Sequence, residues 1–268
     1  MPDTSSSNFP SFEPVVLITG AASGIGAAVA QRLAAVARGG LILVDHDEAG
    51  LAAMANNLVE PPERVSLLAF DIANPERWQA AQRFMEEHYG RLDWAVASAG
   101  VAHAAPLMDT PFSEWRATMG VNLDGMFLTI QTAFRLMRQA PFGGAIAVLS
   151  SAAAHKAEPG IAAYGASKAG VEQLAKVAAK EGADLNIRVN VIAPGGVETP
   201  MWRGVPMFQE MVAQEGSERA AFDKLAALAT PLRRYAQADD IARMVEMLLC
   251  ESAPITGATI VVDGGYTL

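Results

Sequence analysis

The segment Tyr164-Gly165-Ala166-Ser167-Lys168 sets a phenol and an ammonium four residues apart in a run of helical period, so both project from one face. An ordinary tyrosine titrates near pH 10, too high to trade protons readily at neutral pH, but a neighbouring cation favours the phenolate and lowers that value. Tyr164 is thereby a candidate general acid and base. The spacing alone is common in helices. It gains weight from Ser151, which ends an apolar run thirteen residues upstream, and from a glycine-rich turn near the start of the chain.

That turn follows the apolar run Val15–Thr19 and reads Gly20-Ala21-Ala22-Ser23-Gly24-Ile25-Gly26 before a helical pattern begins. Glycines at such a junction permit a tight bend and let backbone approach a pyrophosphate, which the helix N-terminus stabilises with free N–H groups and its dipole. Asp45 ends the next apolar run, 19 residues beyond Gly26. A carboxylate there can accept from ribose hydroxyls and repels a 2′-phosphate. Strand, glycine turn, helix and acid in this order predict a dinucleotide site. Asp45, reinforced by Asp47 and with no basic side chain at Ala21, Ala22 or Ser23, favours NAD over NADP. Asp71, closing the third run, suits either an adenine amino group or a turn of its own.

These residues need elements to hold them. Apolar, β-branched runs near Val15–Thr19, Leu41–Asp45, Val65–Asp71, Asp93–Ala97, Ala145–Ser150, Arg188–Ile192 and Thr259–Val262 predict strands. Helical periods fill Ile25–Ala37, Glu48–Leu58, Pro75–Tyr89, Pro111–Gln139, Ala163–Glu181 and Gln237–Leu249. Several strands are apolar on both faces, as parallel strands between helix layers must be. The expected fold is α/β: over residues 14–268, a single doubly wound, Rossmann-type domain with a seven-stranded, mostly parallel sheet and helices on both faces. Residues 1–13 are expected to form a flexible lead-in. Thr199–Thr230 is too long for an ordinary connection and is expected to be a substrate-binding insertion or lid, as residues 199–230.

Composition narrows the function classes. A chain of 268 residues, 51% hydrophobic and 18% charged, has material for a large core. Its net charge of −9 opposes a nucleic-acid partner, and no apolar stretch approaches the roughly 18 to 20 residues of a membrane span. The single cysteine, Cys250, and four scattered histidines offer no disulfide framework and no metal-ligand spacing, so no metal is expected. Met1–Pro14 lacks a basic stretch leading into an apolar one, and a cytoplasmic location is expected.

Taken together, Thr19-Gly20-x-x-x-Gly24-x-Gly26, Asn122, Ser151, Tyr164-x-x-x-Lys168, Pro194-Gly195 and Val262-Asp263-Gly264-Gly265 resemble the classical short-chain dehydrogenase/reductase family from Val15 to the C-terminus. The resemblance implies hydride transfer between a nicotinamide and a carbonyl or alcohol carbon. It implies that Tyr164 exchanges the proton, Ser151 orients the substrate oxygen, Lys168 binds the nicotinamide ribose and depresses the phenol, and Asn122 holds a water in a proton relay. Ser23, Ile25, Ile72, Ala99, Gly100, Pro194, Gly195, Val197 and Thr199 are the further implied cofactor contacts, and a homo-oligomer, often a tetramer, is implied as well. One departure stands out. Ala97-Ser98-Ala99-Gly100 replaces the family's Asn-Asn-Ala-Gly, so hydrogen bonds that brace that strand end must be replaced or forgone.

Substrate residues should follow the fourth and fifth strands and line the insertion: Val101, His103, Ala153, His155, Glu158, Met201, Trp202, Met207 and Phe208. Their apolar share suits a small to medium alcohol or ketone, largely apolar or cyclic. Each could equally be ordinary packing, and both histidines read as pocket wall before proton donor. Two alternatives stay open: a non-catalytic NAD-binding regulator, and a dehydrogenase of sugar alcohols or 3-hydroxyacyl groups within the same family.

Overall fold

Seven of the apolar runs pair edge to edge because each carries side chains that must leave water on both faces. The computed structural model describes residues 13–58, 65–140, 142–250 and 254–268, and all but the last residue of the expected lead-in, 1–13, lies outside them. The strands are β1 (Val15–Thr19), β2 (Gly40–Asp45), β3 (Val65–Ala69), β4 (Trp94–Ala97), β5 (Gly144–Leu149), β6 (Ile187–Pro194), the two-residue β7 (Val197–Glu198) and β8 (Ala236–Gln237), and β9 (Thr259–Val262). The main sheet runs β3-β2-β1-β4-β5-β6-β9 with every pairing parallel, while β7 and β8 form a separate parallel pair. The chain winds outward from β1 to β3, then returns to β4 on the other side of β1. That reversal opens a crevice at the carboxyl ends of β1 and β4, where ligands of such sheets bind.

The helices are α1 (Gly24–Ala34), α2 (Glu48–Asn56), α3 (Pro75–His88), α4 (Phe112–Met119), α5 (Met126–Met137), α6 (Ala162–Gly182), α7 (Pro206–Glu215), α8 (Glu218–Ala229) and α9 (Ala238–Cys250). Alternation along β1 divides the core. Val15 and Leu17 pack with Trp78 and Met85 of α3, Ile130 and Leu136 of α5 and Val171 of α6. Val16 and Ile18 face the opposite layer, with Leu33 of α1, Leu51 of α2 and Val245 of α9. Each such aliphatic side chain, fully buried, stabilises the fold by about 1.5–3 kcal/mol.

One predicted helix is not a single α-helix. Pro111–Gln139 resolves into α4 and α5 joined by a π-helical turn, Gly120–Gly125. The apolar rhythm continues through it, so periodicity cannot reveal it. A side chain at Gly125 would begin 2.7 Å from Ile72 Cδ1, which explains the glycine, and Thr129 Oγ1 donates to the Gly125 carbonyl at 2.8 Å. Single π turns inside α-helices are frequent at functional sites, and this one carries Asn122.

Asp93, expected to open the fourth strand, instead precedes it and is 2% exposed. Its Oδ2 accepts from the backbone N–H of Val15 at 2.8 Å and from Arg91 Nε at 3.0 Å, joining the starts of β1 and β4. Asp93→Ala leaves the Val15 N–H buried and unpaired and should lower the unfolding free energy by about 1–3 kcal/mol. Urea denaturation reads this directly, and an unchanged midpoint would contradict the assigned role.

Candidate active site

The glycine turn forms a cradle with no room for a side chain at Gly20 or Gly26. Gly20 and Gly24 adopt φ of +70° and +55°, in the left-handed region that glycine enters without strain. A Cβ at Gly26 would lie 2.0 Å from the Gly20 carbonyl oxygen, and one at Gly20 would lie 2.8 Å from Ala99 Cα. α1 opens without a side-chain cap from Ser23 and without an acidic residue in its first turn, so its N–H groups face the crevice unsatisfied by side chains. This donor set suits the pyrophosphate of a nicotinamide dinucleotide. Thr199, at the far wall, lies 3.6 Å from the point where a Gly24 Cβ would sit.

Asp45 ends β2 with 8% exposure, its Oδ2 accepting from Ala22 N–H at 3.0 Å and its Oδ1 from Asp47 N–H at 3.1 Å. The carboxylate is therefore fixed against the glycine turn. His46 Nδ1 lies 3.0 Å from Asp45 Oδ1 on an exposed ring, a neighbour the sequence reading did not weigh. Asp47 is occupied with capping α2 through Gly50 N–H. Asp71 is exposed and uses Oδ1 in a turn to Ala73 N–H at 2.9 Å, which leaves Oδ2 for another donor. The side chains of Ile72 and Val197 belong to the two cores, so contact with a cofactor would come from their backbone. At the end of β6, Gly195 N–H donates to Val262 O at 3.0 Å, and a Cβ there would meet Asp263 Cα at 2.8 Å.

The missing asparagines are replaced by another device. Ser98 Oγ donates to the Thr19 carbonyl, while Ser98 and Ala99 N–H groups approach Thr19 Oγ1 at 3.1 and 3.3 Å. The end of β4 is thus tied to the end of β1 by a serine and a threonine. Asn122 braces the continuation. Its Oδ1 accepts from Val101 N–H at 2.8 Å, and its Nδ2 donates to Val101 O at 2.9 Å and Ser167 Oγ at 3.1 Å. Both amide hydrogens are thus engaged with protein groups, while Oδ1 keeps one lone pair beyond its bond to Val101.

Tyr164 sits in the first turn of α6, with Ser151 just beyond β5. Burial raises the phenol above its ordinary value, and the hydrogen bond with Ser151 partly opposes that. Lys168 is one turn further along, 4% exposed, with Nζ 5.8 Å from the Tyr164 ring centre and donating to Leu149 O at 2.9 Å. Burial pulls its ammonium down to about 8. In the protein alone the phenol is therefore raised by its own desolvation, opposed by Ser151 and not by Lys168. Gly100 completes the group: a Cβ there would lie 3.3 Å from Asn122 Oδ1 and 3.4 Å from Lys168 Nζ.

The loop after β4 is pinned to this group at both ends, by Asn122 at Val101 and by Ala105 N–H donating to Gly160 O at 2.9 Å. His103 lies between, its Nδ1 3.5 Å from Glu114 Oε2 and its Nε2 buried without a hydrogen-bond partner among the described residues. His155 pairs with the buried carboxylate of Glu172, a residue whose place at the site leaves no local mark in the sequence. Glu158 accepts from Tyr266 Oη at 2.8 Å, a bond that holds its carboxyl below the usual range, so the C-terminal segment borders the same loop.

In the insertion, two expected pocket residues do other work. Phe208 is 1% exposed and packs with Phe222 and Leu225, while Trp202 stacks on Tyr235 and donates to Val197 O at 2.9 Å. Both fill a small aromatic core made where α7 and α8 fold on each other and on Tyr235. Met201 and Met207 remain exposed, and Ala153 borders Ser151, whose Oγ accepts its N–H at 3.2 Å.

A uniformly parallel sheet, a side-chain-free phosphate cradle at its switch point and Tyr164, Lys168, Ser151 and Asn122 gathered at one edge define a dinucleotide-dependent oxidoreductase fold of Rossmann type. Residues 20–267 match the family described as enoyl-(acyl carrier protein) reductase, and the chain belongs to the classical short-chain dehydrogenase/reductase family. It is 38% identical over 256 residues to D-threitol dehydrogenase of Mycolicibacterium smegmatis, covering 95% of this chain and 93% of that one. It is 30% identical to the NADP-dependent (R)-specific alcohol dehydrogenase of Lentilactobacillus kefiri, over 94% and 96% of the two chains. The crystal structure of carveol dehydrogenase from Mycobacterium avium in complex with NAD superposes with a TM-score of 0.87 at 29% identity, covering 94% and 97%. Among the described residues no helix is long and apolar enough to cross a membrane, and no cluster of three or more His, Cys, Asp or Glu could hold a metal.

The buried lysine makes stability depend on pH in a defined window. An unfolded lysine keeps its proton up to about 10.4, whereas folded Lys168 releases it near 8. Between these values the unfolded state binds more protons, so stability contributed by this group rises with pH. Lys168→Met should flatten that rise between pH 8 and 10 in denaturant titrations compared with wild type.

Proposed function

We propose that this protein is an NAD-dependent oxidoreductase interconverting a secondary alcohol and a ketone, with Tyr164 as the general acid and base. The observation that carries the reading is the phenol of Tyr164 between the Ser151 hydroxyl and the Lys168 ammonium at the carboxyl edge of the sheet. When bound, the nicotinamide supplies the hydride acceptor or donor. Ser151 then orients the reacting oxygen and stabilises charge developing on it. Tyr164 gives or takes the proton at its Oη, and its burial keeps that proton in place until an oxygen arrives. Lys168 offers an ammonium to the nicotinamide ribose and to the phenolate, and Asn122 holds a water of the relay.

NAD is favoured over NADP because Asp45 presents a buried carboxylate fixed by two N–H groups where a 2′-phosphate would have to lie. For the substrate, the exposed Met201 and Met207 and the likeness to carveol dehydrogenase support a largely apolar or cyclic alcohol. A second reading, a sugar-alcohol substrate, is favoured by the polar loop of His155, Lys156 and Glu158 and by the D-threitol relative. We place the insertion, residues 199–230, as the lid that selects between them. A cytoplasmic homotetramer completes the proposal; its self-association is supported by Phe112, Phe127 and Val177, large apolar side chains left exposed on α4, α5 and α6.

Purified protein given NAD and a panel of secondary alcohols that includes carveol and D-threitol should form NADH, and Tyr164→Phe should lower kcat by about 10²–10⁴-fold, the usual worth of a positioned acid–base group. Retained activity in that variant would defeat the mechanism. In fluorescence titrations NADH should bind more tightly than NADPH, and Asp45→Ser should narrow or reverse the difference. Tighter binding of NADPH by the wild type would overturn the cofactor assignment.

A further inference from the structure

Glu172 lies on α6 four residues beyond Lys168 and eight beyond Tyr164, so all three share one side of the helix. It is 6% exposed. A carboxylate is costly to bury unless it is paired, and the neighbouring inward positions Val171 and Ala175 are apolar, so an aliphatic side chain would fill this space at lower cost. The charge therefore calls for a use. Its Oε1 accepts from Ser150 Oγ at 3.0 Å and lies 2.9 Å from His155 Nε2, which must carry the hydrogen because a carboxylate only accepts.

Ser150 and His155 are the two ends of the turn that presents Ser151. Inside that turn, Ala153 N–H donates to Ser151 Oγ at 3.2 Å, Ala154 N–H to Ser151 O at 2.9 Å and His155 N–H to Ala152 O at 2.9 Å. Ser150 Oγ is also 3.1 Å from the Lys168 carbonyl. One carboxylate oxygen thus ties both ends of the Ser151 turn to the helix bearing Tyr164 and Lys168. We propose that Glu172 and His155 are positioning residues, a clamp that fixes the Ser151 hydroxyl relative to the Tyr164 phenol. The proposal rests on the reading of Ser151 and Tyr164 as the reacting pair. Displacements near 1 Å at such a pair cost on the order of 10²-fold in rate.

The test uses the full-length protein as Glu172→Leu, Glu172→Gln and His155→Ala, the last on a half-exposed ring whose loss the fold should tolerate. Two quantities are read: NADH formation from carveol or D-threitol, whichever the wild type oxidises, and hydrogen exchange at the amides of Ala153, Ala154 and His155. Glu172→Leu and His155→Ala should lower kcat by about 10- to 100-fold, leave KM for NAD within about twofold and speed exchange in the turn. Glu172→Gln keeps an acceptor oxygen for both donors and should restore kcat to within about threefold of wild type and restore protection. Unchanged exchange in Glu172→Leu, unchanged kcat with a loosened turn, or a Gln variant as impaired as the Leu variant would each overturn the clamp. The exchange measurement needs no turnover. An active Tyr164→Phe would overturn the reading of the reaction and, with it, the catalytic role of the clamp, while the exchange result would still report whether the turn is held.

Discussion

An ammonium group held out of water against a single backbone carbonyl is the constraint around which the reactive edge is organised. Lys168 can occupy that position only because Leu149, at the end of β5, turns its carbonyl toward α6. The same register brings Ser150 under Glu172 and puts Tyr164 beside Ser151. Seating α6 on β5 and β6 therefore sets several distances at once. The seat itself is made by Val171, Ala175 and Ala179, small or branched side chains that let the helix lie close to the strands.

The other half of the crevice depends on the divergence of β1 and β4. Strands that part company lose the ladder that held them, and their freed backbone groups need new partners. Thr19 and Ser98 supply these, and Asn122 repeats the service a few residues further on from the π turn between α4 and α5. The crevice is consequently lined by fixed backbone, with little for a side chain to add except at Asp45 and Thr199.

Most of the architecture was legible in the sequence because strands buried on both faces leave uninterrupted apolar runs, and helices over them leave a period. β1 and β9 match their predicted ranges to the residue. The glycine turn was legible for a different reason, since a Cβ at Gly20 or Gly26 would fall within 2.0–2.8 Å of neighbouring backbone, which admits no other residue. What escaped depended on partners far apart in the chain. Ser98 meeting Thr19, or Glu172 meeting both Ser150 and His155, leaves no local trace. The π turn hides because one added residue barely disturbs an apolar rhythm. Phe208 and Trp202 misled because an aromatic in an insertion looks the same whether it faces a ligand or the next helix.

The aromatic core of that insertion has a further meaning. Trp202, Phe208 and Phe222 pack on one another and on Tyr235, which lies beyond the insertion against Gly196, so this cluster is anchored where the chain leaves β6. Under the proposed role of the insertion, substitutions at its exposed Met201 and Met207 change what the crevice admits while Tyr164 and Lys168, held on α6, keep their places. On that proposal chemistry and discrimination are separable inheritances: lineages sharing one reaction diverge in diet by remodelling about thirty residues, while the machinery beneath is passed on.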